Sequence, residues 1–462
     1  MHASPAWKCC MVAGIGLLLW SRASAQSISS LQDLVRAARS NRPALLQKQA
    51  VINRMQAAVT DARHTALPSI KIQDQVSLAT ANSEPGTYFP TGAISTSGAI
   101  RAGNNYEAAS GNIAMLYGEY ELANFGLNKA RTSNAQAGVQ LAGADLLRER
   151  YLLTLQTART YFSLLKAYQQ QTIEQDNVAR YDTLLTIIRA QARAGLRAGS
   201  DTAQMRTELS KARITRNDRS GDIAQLRQEL SYLTGIQPES LYIDTSLERY
   251  GTQQNAGTIY GTPDVETHPL LDYFRKEQAS LLSRERLIRR SYVPRLLLVG
   301  GLWGRGSSID AHDTYGTLTS GLVYNRLNYG VGLALTYNLT DIIHRRDKLA
   351  INHYQWLEGD YALQEQQLQL QTTQAKAEAA ISVIDRNIAE IPVQLESAGA
   401  LYQQKLAQYR AGISNLVDLT NAAYLLRQVQ TDKIQILTDW FLARLDRAAA
   451  AGNLDPFIQS LK

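Results

Sequence analysis

Cysteine is nearly missing. The 462 residues hold two, Cys9 and Cys10, both ahead of the first apolar run, so the rest of the chain can form no disulfide and no thiolate metal site. Phenylalanine (6) and tryptophan (5) are scarce beside 23 tyrosines, which disfavours one large globular core and suits surfaces that are half wet. No stretch beyond the N-terminal one approaches the ~18 uninterrupted apolar residues of a transmembrane helix. Charge of one sign is not concentrated either. The 48 basic and 41 acidic residues are interspersed, and the net +7 forms no basic patch with interleaved aromatics, which excludes nucleic acid as a partner.

Chemical signatures are absent as well. His64, His268, His312, His344 and His353 belong to no HExxH helix, metal-ligand cluster or nucleophile elbow. The run GGLWGRG (300–306) lacks the Lys-Ser/Thr ending of a phosphate loop and reads as strand glycine. His344 with Arg345 and Arg346 reads as a basic edge rather than a ligand set. The chain is therefore expected to be no enzyme, with no catalytic residue, no metal and no cofactor.

What is present begins with an address. Lys8, the apolar run Met11–Trp20 and Ala23-Ser24-Ala25 predict a cleaved secretory signal peptide over residues 1–25. A lipidated cysteine would follow the apolar run, so no lipid anchor is expected.

A repeat then organises the sequence. Gly195 and Gly412 are 217 residues apart, and so are Asp201 and Asp418, Leu209 and Leu426, Gly235 and Gly452, and Tyr120 and Tyr337. Upstream the offset is 226, pairing Pro43 with Pro269 and Pro68 with Pro294. Each half reads as helix, strand, loop, strand, long helix, turn, helix. The first repeat covers 26–235 with strands near 69–80 and 110–122 and a tip at 195–201. A linker spans 236–263. The second repeat covers 264–452 with strands near 295–306 and 322–339 and a tip at 412–418, and a tail follows at 453–462.

The strands alternate. Ile70, Ile72, Val76 and Leu78 share a face, with Asp74 the exception. In YGVGLALTYNL, Tyr329, Val331, Leu333, Leu335, Tyr337 and Leu339 oppose Gly330, Gly332, Ala334, Thr336 and Asn338. A sandwich strand would also alternate, but tyrosines at both ends of the oily face suit the aromatic girdles and ~25 Å apolar band of a membrane barrel. Tyr329, Tyr337 and Trp303 are the girdle candidates.

Two polar, Ala/Leu/Gln/Arg-rich segments, 124–194 and 341–411, are long enough for helices of ~105 Å. Asn124 and Asp341 stand where their N-caps are expected, and Pro392 marks a local kink. Helices near half that length, 31–66, 201–234, 264–292 and 418–451, would flank them. Such helices need neighbours, and four strands cannot close a barrel, so association is required.

The twofold repeat, Leu67-Pro68 and Val293-Pro294 before strands, the tips GLRAGSD and GISNLVD, and above all AQYRAGISNLVDLTNAAYLLRQVQTDKIQ (407–435) resemble the TolC family of outer-membrane efflux proteins. The resemblance spans nearly the whole chain. It implies a mainly α fold with a membrane β-barrel: a homotrimer of twelve strands, four per protomer, in outer-membrane lipid, continued by a long α-helical barrel in the periplasm. It implies a periplasmic adaptor and an inner-membrane pump of RND, ABC or MFS type as partners, and a passive exit duct for small molecules as the function. A type I secretion channel for unfolded proteins shares the fold. A periplasmic coiled-coil adaptor or scaffold is the reading from another class, although it would not require four oily strands.

The departures are local. YELANFGLNKA (120–130) and YNLTDIIHRRDK (337–348) lack the proline common where a strand meets a long helix. At the second tip the resemblance implies an acidic pore ring on Asp418, with Asn421 at the second acidic position. Tyr409 falls on a latch tyrosine, Ser414 on the latch arginine position, and Asp201 on a partner for Tyr409. Gly195, Arg197 and Gly412 fall on the tip turns. With Ser414 and Asn421 at gate positions, closure is expected to be weaker. Read from the residues alone, Asp201 and Asp418 would cap the helices that follow them.

Overall fold

The computed structural model describes residues 30–83, 99–100, 102–245 and 267–461. The signal-peptide segment and most of the 236–263 linker lie outside the described residues. The chain runs α1 (Leu31–Asn41), α2 (Pro43–His64), β1 (Ser69–Thr80), β2 (Asn82–Ser83), β3 (Ala99–Ile100), β4 (Ala108–Ala123) and α3 (Leu127–Arg193). It continues as α4 (Gly199–Thr234), α5 (Pro269–Ser291), β5 (Arg295–Ser307), β6 (Arg326–Thr336), α6 (Asp341–Arg410), α7 (Leu416–Ala450) and α8 (Asp455–Ser460). At ~1.5 Å per residue, α3 and α6 are each about 100 Å long.

The expected single helix over 31–66 is two helices. Pro43 has no N–H to donate, and Arg42 before it is held extended (φ −75°, ψ 118°), so the chain stops and restarts with proline in the first turn. The expected N-caps also move. Gly126, at φ +90°, precedes α3 without a side-chain cap bond, and Thr340 precedes α6. Asn338 closes the strand end instead: its Oδ1 accepts from the Thr340 N–H (3.2 Å) and Oγ1 (2.8 Å). This turn ends β6 at Thr336, so Tyr337 lies one residue past the strand. The α6 helix runs on through Pro392.

Four strands form one antiparallel sheet in the order β1-β4-β5-β6, leaving β1 and β6 as unpaired edges among the described residues. The register pairs Ile72 with Leu116, Leu116 with Leu302, and Leu302 with Tyr329, which puts these residues on one face. That face is oily and bare, with Ile72 86% and Tyr329 87% exposed. The opposite face carries Lys71, Gln73, Gln75 and Ser77 from β1. Asp74, on the oily face, has a partner there. The small residues Ala114 and Gly304 stand beside it in register, an added Cβ at Gly304 would lie 3.2 Å from the Tyr324 ring, and the Tyr324 hydroxyl donates to Asp74 Oδ1 (3.1 Å).

Beneath the sheet, α3 pairs with α4 and α6 with α7 as two hairpins. One core gathers Leu34, Phe162, Leu165, Leu230, Phe441, Leu445 and Phe457 where α1, α3, α4, α7 and α8 meet. A second, toward the tips, holds Leu184, Ile188, Met205, Leu209, Tyr402, Tyr409, Leu419 and Leu426. Beside the first core His268 is buried. Its Nδ1 accepts from the Leu270 N–H (3.1 Å), and Nε2 lies 3.0 Å from the Ala449 carbonyl, which also accepts from the Tyr151 hydroxyl (2.6 Å). Only the neutral ring with its proton on Nε2 satisfies both bonds.

Burial lowers the His268 pKa below its ordinary 6.5, against the Ala449 bond, which favours the proton. The linkage sign follows: stability is fully present above pH 6.5 and is lost as pH falls through the lowered value. Thermal midpoints measured from neutral to mildly acidic pH are expected to fall. In His268→Asn, whose amide oxygen can still accept from Leu270, this acid-sensitive part should vanish; an unchanged acid slope would show that His268 does not cause it.

Candidate functional site

Both tips are built by the same backbone device. Gly195 (φ +69°) and Gly412 (φ +77°) take the left-handed conformation that ends α3 and α6. The Leu196 N–H reaches the Gln191 carbonyl and the Ile413 N–H the Gln408 carbonyl, each at 2.9 Å, while Gly195 and Gly412 each donate to the carbonyl three residues back (3.1 Å). This double closure is the Schellman motif, so the chain reverses in five or so residues. A Cβ at either glycine would meet nothing within 4 Å, so the requirement is conformational and not steric.

The aspartates that follow are not the N-caps. Asn415 caps α7, its Oδ1 accepting from the Asp418 N–H (2.8 Å), and Ala198 precedes α4 without a side-chain cap bond. Asp201 and Asp418 instead occupy the first turns of α4 and α7, where a carboxylate faces the positive helix end. Asp418 Oδ2 accepts from the Ser414 hydroxyl (3.1 Å) and lies 3.8 Å from Lys405 Nζ on α6. Ser414 is buried by that contact, whereas Asn421, one turn further along α7, is exposed.

Tyr409 is fully buried (0%) between the hairpins. The Arg197 guanidinium lies 4.5 Å above its ring, and Arg197 Nη2 donates to the Tyr409 carbonyl (2.9 Å). An arginine therefore does hold Tyr409, supplied by the first tip although position 414 is serine. Asp201 acts on Tyr409 only through its charge. The Tyr409 hydroxyl is buried with no hydrogen-bond partner among the described residues, and burial raises its pKa, with Arg197 opposing and Asp201 adding. Sequence reading assigned Arg197 to the turn alone; its contact joins positions 212 residues apart, beyond any local pattern.

A further charge contact lies higher up, where the hairpins meet. Arg427 Nη1 on α7 donates to Glu174 Oε1 on α3 (2.6 Å), and the Glu174 side chain is only 5% exposed. Of the proposed girdle residues, Tyr329 is on the oily face. Trp303 is not: Leu302 shares a face with Tyr329, so Trp303 falls on the other, paired in register with Met115 and Asn328. Among the described residues no group of three metal-ligand side chains comes together, and no helix is long and apolar enough to cross a membrane.

Residues 34–236 match the family model described as Outer membrane efflux protein. The CusC structures, which concern folding and transmembrane channel formation, superpose with a TM-score of 0.74 at 14% identity, covering 92% of both chains. The fold is that of an outer-membrane efflux channel. The CmeC outer membrane channel of Campylobacter jejuni gives 0.72 at 16% identity, covering 98% of this chain and 94% of its own. In sequence, the nickel-cobalt-cadmium resistance protein NccC of Alcaligenes xylosoxydans xylosoxydans is 23% identical over 231 residues. That match spans 49% of this chain and 52% of NccC, about half of each. The TolC-like resemblance read from the sequence is borne out, and with it the pairing of long helical hairpins with barrel strands.

Proposed function

We propose that three copies of this chain form the exit duct of a tripartite efflux system in the outer membrane of a Gram-negative bacterium. One observation carries this: a four-stranded sheet with two bare edges and a continuous exposed apolar face stands on two helical hairpins about 100 Å long. In lipid such edges must be paired, and three copies give twelve strands. The α6 helix supports the same assembly. Only seven of its 70 residues are buried, against 21 of 67 in α3. Exposed Tyr354, Tyr361 and Leu368 repeat every seven residues along it, the spacing of a seam for a neighbouring helix. The oily face meets lipid, the polar face lines the lumen, and the tips reach down to a periplasmic adaptor and an inner-membrane pump that supplies the energy.

The duct needs no chemistry of its own. Its cargo is small solutes, and the likeness to NccC puts nickel, cobalt and cadmium ions among those to test. The tips form the constriction, with Asp418 as a ring of three carboxylates and Lys405 beside each one. Such a ring attracts cations. In planar-bilayer recordings, Asp418→Ala is expected to lower the cation-over-anion permeability ratio and Lys405→Ala to raise it. Two unchanged ratios would remove Asp418 from the pore.

A further inference from the structure

The wall of a barrel lumen is ordinarily polar. Part of this one is not. On the face opposite the oily band, β4 and β5 present Ile113, Met115, Tyr117, Val299 and Trp303 around a concavity of about 730 Å³, with Gln73 and Gln75 on its far side. Glycine shapes this surface. A Cβ on Gly330 would stand 3.5 Å from the tip of the Trp303 indole, so the outer edge of the ring reaches this glycine of β6. A Cβ on Gly301 would be 3.8 Å from both Trp303 and Tyr117, so the two rings flank that glycine. The Tyr117 hydroxyl donates to Glu119 Oε1 (2.7 Å), which holds the phenol and leaves a carboxylate beside it.

Resting on the reading of this face as the lumen, we propose that Trp303 and Tyr117 form a stacking platform for planar aromatic cations passing through the barrel. Both rings line the concavity and are half-buried, so part of each π-system is open to it, and a π-face attracts both flat rings and positive charge. The Glu119 carboxylate adds charge of the matching sign. Arg305, at the outer end of the same concavity, disfavours a second cation there and orients a bound one with its charge toward Glu119. Three copies would place three such platforms around the wall, each weak enough to release what it holds.

The test is single-channel recording of the full-length protein in a planar bilayer with ethidium as the probe. Tetramethylammonium serves as a cation without rings, and fluorescein as an aromatic anion. Ethidium is expected to interrupt the current where the other two do not, and the blocking constant should weaken about tenfold in Trp303→Ser but little in Trp303→Phe. Tyr117→Ser provides a second variant should Trp303→Ser fail to insert, with the same loss expected. Equal block by all three solutes, or undiminished ethidium block in the serine variants, would overturn the platform while leaving the duct intact. A wild-type protein that forms no conducting channel would instead overturn the reading on which the platform rests.

Discussion

Leu333→Arg is expected to remove the protein from the outer membrane, while Gln73→Arg leaves it there. Leu333 lies midway between Tyr329 and Tyr337 on the bare oily face, paired in register with Leu298. An arginine at the bilayer midplane costs ~2–4 kcal/mol, and a trimer would carry three. Gln73 is on the opposite face, in register with Met115, where a long cation remains in water. Quantifying each variant in the outer-membrane and soluble fractions separates the outcomes. Equal loss of both would mean that general destabilisation dominates, and retention of Leu333→Arg would mean that this face does not meet lipid.

The second large effect concerns the joint between the hairpins. Arg427→Ala leaves the Glu174 carboxylate buried without its cation, a change that costs ~3–5 kcal/mol in comparable buried pairs. Among the described residues, Glu174 Oε2 has no hydrogen-bond partner even with Arg427 in place. The helical signal followed on heating is expected to collapse at a markedly lower temperature in Arg427→Ala. The double variant Glu174→Gln with Arg427→Met should recover much of that loss, since it leaves no lone charge. A single variant with wild-type melting would show that water reaches Glu174 and that the pair carries little weight.

Much of the fold was legible because backbone geometry left its mark on single residues. Gly195 with Gly412 and Gly235 with Gly452, the pairs that revealed the repeat, all have positive φ at helix ends. A glycine required by conformation holds its place while the helical surface around it drifts. The faces of β1 and β6 were legible for a similar reason, since polar residues in β1 and mostly glycine and alanine in β6 alternate with the large oily ones.

β5 offered no such contrast. Leu296, Leu297, Leu298 and Val299 run without alternation, so the side of the sheet taken by Trp303 follows only from pairing with β4 and β6. That is why Trp303, a girdle candidate in the sequence, falls on the face of the sheet opposite Tyr329. The caps failed on a narrower point. Asparagine at 415 outcompetes an aspartate three residues later, because the cap must precede the first turn and not sit within it. The Arg197–Tyr409 contact lay beyond sequence reading altogether, since it exists only once the two hairpins pack.

The central claim is that this chain closes a barrel only by association in a membrane. The direct measurement is electrophoresis of the detergent-extracted outer-membrane fraction, with and without boiling. A band at the mass of three chains is expected, shifting on heating to a single chain that, with residues 1–25 cleaved, runs somewhat below the 51.1 kDa of all 462 residues. Recovery of the folded, monomeric chain from the soluble periplasm would contradict it.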